Sequence, residues 1–222
     1  MIPRAASYSF LMGVNQPTVE FISSGWCVPS QEFIDSFEPG DLRLPATVLV
    51  YERIGYGETL QNIIGFVPSP EKDYHYFNQK YYNPPYTYTG ARTGDNFPIY
   101  RYADALLLLA ECLVEQNKAG EAQPYLDKVR ARAGLDPVPA TKQSVSDERR
   151  HELAFENKRW TDLIRTGQAI EVMTAFGEYW LEKDEELERG VHFVVTQERL
   201  LYPFPARELI INRNLVQNPG YR

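Results

Sequence analysis

Between Glu148 and Arg165 the sequence reads ERRHELAFENKRWTDLIR, with four acidic and five basic side chains besides His151. Glu152 and Glu156 are four residues apart, a spacing that places both on one face of a helix. Paired carboxylates are the tools of glycoside hydrolysis, one donating a proton while the other works on the opposite face of the sugar. The spacing argues against that use. It puts both groups on the same wall, and an acid catalyst must keep its proton, which neighbouring arginines disfavour. Leu153, Trp160 and Ile164 mark a buried stripe that Arg149, Glu152, Glu156 and Arg159 flank or enter. The expectation is a partly buried ion-pair network that fixes this helix against the preceding hairpin, with Arg101 as a partner from the facing helix.

Other chemistries find less support. His75, His151 and His192 are scattered, and His151-Glu152 does not extend to a two-histidine zinc motif. Gly55-Tyr-Gly57 lacks the third glycine of a dinucleotide loop, and no nucleophile elbow occurs. No metal, cofactor or catalytic residue is expected. Cys27 and Cys112 have no paired spacing, and Cys112, inside an apolar helix, reads as a small core residue. The net charge of −7 and the lack of a basic stripe disfavour nucleic acid as a partner. Aromatic clustering remains. Flat rings stack on the apolar faces of sugars, and Trp26, Tyr74, Tyr76, Tyr86 and Tyr88 are the candidate glycan-binding residues.

The elements that must position these residues centre on Arg101–Gly134. Leu106, Leu109, Ala110 and Leu113 fall on one helix face, and Ala122, Leu126 and Val129 repeat the pattern in a second helix. Asn117–Gly120 is the expected turn, and Gly134 ends the second helix. A pair of this size is one tetratricopeptide-like unit. Before it, Ser30 is expected to cap a helix over Gln31–Phe37, with Phe33, Ile34 and Phe37 on one face. Leu44–Glu52 and Asn62–Val67 are strand candidates. Residues 68–98, rich in tyrosine and broken by prolines, read as a long loop. After the hairpin, Ser144 or Ser146 would cap a helix reaching about Asn157. Further helices are expected at Trp160–Thr166 and from Ala169 onward with a break near Gly177. A short strand at Val191–Thr196 and a last helical turn at Ala206–Ile211 follow.

These motifs, in this order, resemble the SusD/RagB family. Pro29-Ser-Gln-Glu-Phe33, Phe37-Glu38 and Asp41-Leu-Arg43 are similar to its early pattern, and Lys80-Tyr81 to its lysine-tyrosine pair. Pro98-Ile-Tyr-Arg-Tyr-Ala-Asp104 and Asp127-Lys-Val-Arg-Ala-Arg-Ala-Gly134 match its helical pair, with Asp127 where asparagine is usual. Glu148 to Glu156, Arg159-Trp160, Asp162-Leu163 and Arg165 follow its most specific motif, and Pro203-Phe-Pro205 and Gln217-Asn-Pro-Gly-Tyr221 its ending.

The resemblance implies a mainly α fold, a tetratricopeptide-like hairpin packed with a loop-rich region containing a few short β-strands. It implies a single SusD-like C-terminal domain over 1–222: a loop-rich part (1–98), a helix pair (99–134), then helices and an extended tail (135–222). It also implies a non-enzymatic, outer-membrane, surface-exposed lipoprotein that captures glycan and delivers it to a SusC-like TonB-dependent transporter. Members are longer than this chain, so a C-terminal portion is expected, whose missing N-terminal half is itself a partner and carries the anchor. The shared motif residues Arg101, Arg149, Glu152, Glu156, Arg159, Trp160, Asp162 and Arg165 are structural. The competing reading is a tetratricopeptide-type scaffold, or an uptake protein of the same family with peptide cargo.

Overall fold

The computed structural model describes residues 27–52, 61–62, 74–81, 98–183 and 194–221, with backbone alone at 51, 52, 61, 62, 74, 75 and 183. The chain divides into two compact units, Met1–Glu156 and Asn157–Arg222. Among the described residues it is mainly helical, as expected, with a helical hairpin and three short strands.

In the first unit, Ser30 accepts a hydrogen bond from the Phe33 amide and opens α1 (Gln31–Asp35), which buries Phe33 and Ile34. The expected strand from Leu44 begins only at Val48. Leu44–Thr47 forms a helical turn (α2) with Pro45 in its first positions. Proline has its φ preset for a helix start and cannot donate to a ladder, and the strand that follows is the central one. The sheet order is β2-β1-β3, all antiparallel, with β1 at Val48–Glu52, β2 at Gln61–Asn62 and β3 at Tyr74–Asn78. β3 corrects the reading of residues 68–98 as loop throughout. The prolines of that stretch all lie outside YHYFN, which is free to pair. Of the second expected strand, only Asn62 lies among the described residues.

The hairpin is α3 (Tyr102–Glu115) and α4 (Ala119–Arg132). α3 packs on both α4 and α5 (Lys142–Glu152). The core between them is Leu106, Leu107, Ala110, Ala122, Leu126, Val129, Ala140 and Val145, with Leu113 partly buried at its edge. Leu109 and Cys112, expected inside, are exposed, and Leu107 holds the inner position instead. The buried arc is centred between the two partner helices, which turns the Leu109 edge outward.

The turn is tighter than expected. Asn117 takes the left-handed conformation at φ 59°, Lys118 donates to the Leu113 carbonyl, and Gly120 already lies within α4. Asparagine tolerates that conformation well enough to close a helix in this way. Gly134 closes α4 in the same manner at φ 77°, and a Cβ there would meet the Leu42 side chain at 3.0 Å. Leu42 also donates its amide to Ala133, which fixes the Asp41–Arg43 segment beside the hairpin.

The cap of α5 is Thr141 rather than Ser144 or Ser146. Thr141 and Ser144 exchange bonds in a capping box, so Ser144 is the third helical residue. The helix stops at Glu152, not Asn157, and a turn follows with positive φ at Phe155 and Asn157.

In the second unit, α6 (Arg159–Arg165) precedes α7 (Ala169–Lys183), which runs unbroken through Gly177. Residues 194–196 form no strand, and 191–193 lie outside the described residues. A 3-10 turn (Gln197–Leu200) and α8 (Ala206–Ile211) complete the unit. The last residues tie it together. Gln217 both donates to and accepts from the Phe204 backbone, Asn218 donates to the Tyr202 carbonyl, and the Tyr221 hydroxyl donates to the Leu201 carbonyl. Gly220, at φ 84°, passes so close to Glu198 that a Cβ would lie 2.8 Å from its side chain.

Candidate functional site

The end of α5 and the turn after it carry three carboxylates into the interior: Glu148, Glu152 and Glu156 are 2%, 4% and 4% exposed. Glu152 and Glu156 therefore do not share a helix face. The helix ends at the first, and the left-handed Phe155 swings the second back beside it. A charge this deep is tolerable only when paired and hydrogen-bonded, and cations from four other segments supply the pairing.

Arg43 grips Asp41 with two nitrogens, at 2.9 and 2.7 Å, and reaches Glu148 at 2.6 Å. Arg130, on the last turn of α4, bridges the other Glu148 oxygen at 3.2 Å to Glu38 at 2.7 Å. Arg101, the residue before α3, donates to Glu152 at 2.8 Å and to both Glu156 oxygens at 2.8 and 2.9 Å. Lys80, held after β3 through the Asn78 side chain, donates to Glu156 and to the Glu152 carbonyl, each at 2.8 Å. Beside this set, Arg149 pairs with the buried Asp104 of α3 at 2.9 Å.

Burial opposes the charge of Arg43 and Arg101, yet their carboxylate partners outweigh it and hold both guanidinium groups above their ordinary value. Burial wins at Lys80, whose ammonium is pushed down despite Glu156. Burial also pushes the Glu148 carboxyl up against the pull of Arg43 and Arg130. Each of its oxygens accepts from a guanidinium, one from Arg43 and the other from Arg130. His151, one residue before Glu152, is pushed down to about 4 by burial and then by Arg43 and Arg150. Neutral, it exchanges a hydrogen bond with the Ser36 hydroxyl at 2.9 Å and packs on Phe37 at 4.5 Å between ring centres.

The arrangement can hold segments in place but is ill suited to moving a proton. Both oxygens of Glu152 and of Glu156 accept from cationic nitrogens within 3.5 Å. A cleft of about 400 Å³ opens beside it, with Arg43, Lys80, Arg101, Arg132, Glu152 and Glu156 on its wall. Among the described residues, no group of three or more His, Cys, Asp or Glu side chains is placed to hold a metal ion. Among them too, no helix is long and apolar enough to cross a membrane.

The structure brings Arg101, Glu152 and Glu156 together and sets Arg149 on Asp104. Arg159, Trp160, Asp162 and Arg165 lie in the second unit, where Arg165 pairs with Asp162 at 2.8 Å on the exposed side of α6. Sequence reasoning missed the other half of the network. Asp41, Arg43, Lys80, Arg130 and Glu148 were visible as motif residues, but nothing in their spacing told which of them meet. Of the aromatic candidates, Trp26, Tyr86 and Tyr88 lie outside the described residues, and Tyr74 is described only as backbone in β3. Tyr76 is half-buried and packs against the cluster of Phe33, Ile34, Phe37, Val48 and Val50.

Comparison with known proteins gives this geometry a setting. The model of the SusD family matches residues 27–221. SusD-like protein P2 of Formosa agariphila is 35% identical over 147 residues, which are 60% of this chain and 27% of the relative. The starch-binding protein SusD of Bacteroides thetaiotaomicron is 29% identical over 129 residues, 57% of this chain and 22% of the relative. Among solved structures, a laminarin-binding SusD-like protein superimposes with a TM-score of 0.68 and 29% identity, over 97% of this chain and 44% of its own. Surface glycan-binding protein A from Bacteroides thetaiotaomicron, in complex with laminarihexaose, gives 0.70 at 23% identity, over 96% and 46%. The chain thus spans about a quarter of the length of these curated relatives and under half of the solved ones.

Proposed function

The chain belongs to the SusD family, and from that premise we propose that it is part of a non-enzymatic nutrient-binding protein of the outer membrane. In this reading the whole protein is a surface lipoprotein that captures polysaccharide or oligosaccharide and passes it to a SusC-like TonB-dependent transporter. The observation that carries the reading is the likeness to the laminarin-binding SusD-like protein, which takes in nearly the whole of this chain. The name of the starch-binding relative points to the same ligand class. The interior supports it from another side, because the carboxylates placed close enough to suggest hydrolysis are saturated by arginine and lysine. The ring faces are assigned to Trp26, Tyr74, Tyr76, Tyr86 and Tyr88, since stacking on aromatic faces is how an uncharged sugar gains affinity without reaction.

The test is native electrophoresis through gels containing laminarin, starch or another polysaccharide, paired with a reducing-end assay on the same incubations. Retardation by at least one glycan, weakened by Tyr86→Ala or Trp26→Ala and without release of reducing ends, is expected. Release of reducing ends would overturn the non-enzymatic reading. Retardation by none would move the cargo to peptide.

A further inference from the structure

The ion-pair network is neutral as a whole, yet the cleft beside it is not. Arg43, Lys80, Arg101, Arg130 and Arg132 balance Glu38, Asp41, Glu148, Glu152 and Glu156. On the wall of the cleft, among the described residues, four of those cations meet two of those carboxylates, Glu152 and Glu156. Exposure sharpens the asymmetry. The side chains of Glu152 and Glu156 are 4% and 3% exposed, while those of Lys80, Arg101 and Arg132 are 19%, 28% and 75% exposed. The charge that solvent meets in the cleft is therefore mostly positive, on a chain whose net charge is −7.

The same cations have donors left over among the described residues. An ammonium carries three hydrogens and a guanidinium five. Lys80 uses two, on the Glu152 carbonyl and on Glu156. Arg101 uses four, on Glu152, its carbonyl and both oxygens of Glu156. Arg132 uses one, at 3.4 Å from Glu152. Arg101 shares one Glu152 oxygen with Arg132 and one Glu156 oxygen with Lys80, so the three cationic groups stand side by side.

We propose that this cleft binds the carboxylate of an acidic sugar, a uronate. The oxyanion follows from the wall, because adjacent guanidinium and ammonium groups with hydrogens to give are what a carboxylate bridges. The sugar follows from the space. A volume of about 400 Å³ lies at the small end of ligand sites and suits one or two rings. Ala46 and Pro98 add apolar wall for the C–H face of a ring. The choice of a sugar to carry the carboxylate rests on the glycan-capture reading. The oxyanion site does not, and it uses none of the aromatic residues assigned there.

The test is isothermal titration of the full product of the gene that encodes this chain. The titrants are digalacturonate, the same disaccharide with its carboxylates reduced to alcohols, and sodium sulfate. Digalacturonate is expected to bind at least about tenfold more tightly than either of the others, and to weaken as sodium chloride is raised. Arg132→Ala is expected to cost about fivefold in that affinity, and Arg132→Lys less. Arg132 is mostly exposed and its ion pair is long, so both variants are expected to keep the wild-type urea midpoint. Equal affinity for the reduced disaccharide, no binding of digalacturonate, or an affinity that Arg132→Ala leaves unchanged would overturn the proposal. Sulfate bound as tightly as digalacturonate would overturn the assignment to a sugar. Retardation by laminarin without binding of digalacturonate would sink this cleft and leave glycan capture standing. Binding of digalacturonate without retardation by any polysaccharide would do the reverse.

Discussion

Two of the family's motifs close two regions of the molecule by opposite means. In the first unit, the end of α5 is locked by buried charge: Glu148, Glu152 and Glu156 against Arg43, Arg130, Arg101 and Lys80. In the second, the terminal Gln-Asn-Pro-Gly-Tyr run is locked by neutral amide and hydroxyl groups bonding to backbone near the surface. The difference is one of risk. A buried ion has lost its water, so the network is strong only while complete, and removing one member strands the others. A surface amide bond competes with water and is worth little either way. The first device specifies which segments meet, and the second merely tidies a tail.

The comparison breaks most visibly at Arg43. Arg43→Ala leaves Asp41 and Glu148 facing a void with one cation fewer. It is expected to lower stability by about 3–5 kcal/mol, the cost of orphaning a buried charge, read as a shift of the urea midpoint at unchanged slope. Arg43→Lys is expected to recover only part of this loss, because an ammonium cannot grip Asp41 and Glu148 together as the fork does. A loss below about 1 kcal/mol for Arg43→Ala, the scale of a surface pair, would mean that the network is wet and the contrast unfounded.

Acid tests the same region without a mutation. His151 titrates near 4 in the folded chain against an ordinary 6.5, so between those values the unfolded state holds more protons. Stability is then complete above about pH 6.5 and is lost as pH falls toward 4, by up to about 3 kcal/mol from this group alone. Asp41 and Asp147 pull its affinity up, and Arg43 and Arg150 push it down. The rise of the Glu148 carboxyl works in the opposite sense over part of the window. The measurement is therefore the difference between wild type and His151→Asn in unfolding free energy from pH 7 to 4.5. A difference that does not change with pH would sink the assignment.

In the second unit the effects should be smaller and local. Gly220→Ala places a Cβ against Glu198 in a left-handed backbone and is expected to cost about 1–2 kcal/mol. Gln217→Ala removes both bonds to Phe204 and is expected to cost about 1 kcal/mol. Hydrogen exchange should show faster exchange confined to residues 197–221 in both. Loosening of α3 or α5 in either variant would contradict the separate footing of the two locks.

How much of this was legible follows from which forces are local. The hairpin, the Ser30 cap, Gly134 and α8 were read correctly because period, capping chemistry and a φ above zero are properties of neighbouring residues. The Leu109 edge was misread because four leucines in a row allow several faces, and α4 and α5 together, not α3 alone, decide which is buried. β3 was missed because prolines around it hid a five-residue window that only β1 makes into a strand. The network was half legible. Glu152, Glu156 and Arg101 announced a buried pairing, but their meeting depends on a left-handed Phe155, which no rule for a non-glycine residue anticipates. Arg43, Lys80 and Arg130 enter from up to 109 residues away, and charge alone does not encode such a pairing.

The sharpest form of the comparison uses two ion pairs of equal length. Arg43 lies 2.6 Å from Glu148 with the side chains 11% and 2% exposed, and Lys142 lies 2.6 Å from Glu115 with 70% and 53% exposed. If distance set the energy, the two would be worth the same. In water the second gains little Coulomb energy and orders two long side chains to keep it, so Lys142→Ala is expected to change stability by no more than about 0.5 kcal/mol, with that small effect fading in salt. A double-mutant cycle on each pair, in low and high salt, separates the alternatives. A large, salt-resistant coupling only for Arg43 and Glu148 means that burial gives the interior lock its strength. Similar couplings for both pairs would mean that the charges of α5 are no more specific than those on the protein's surface.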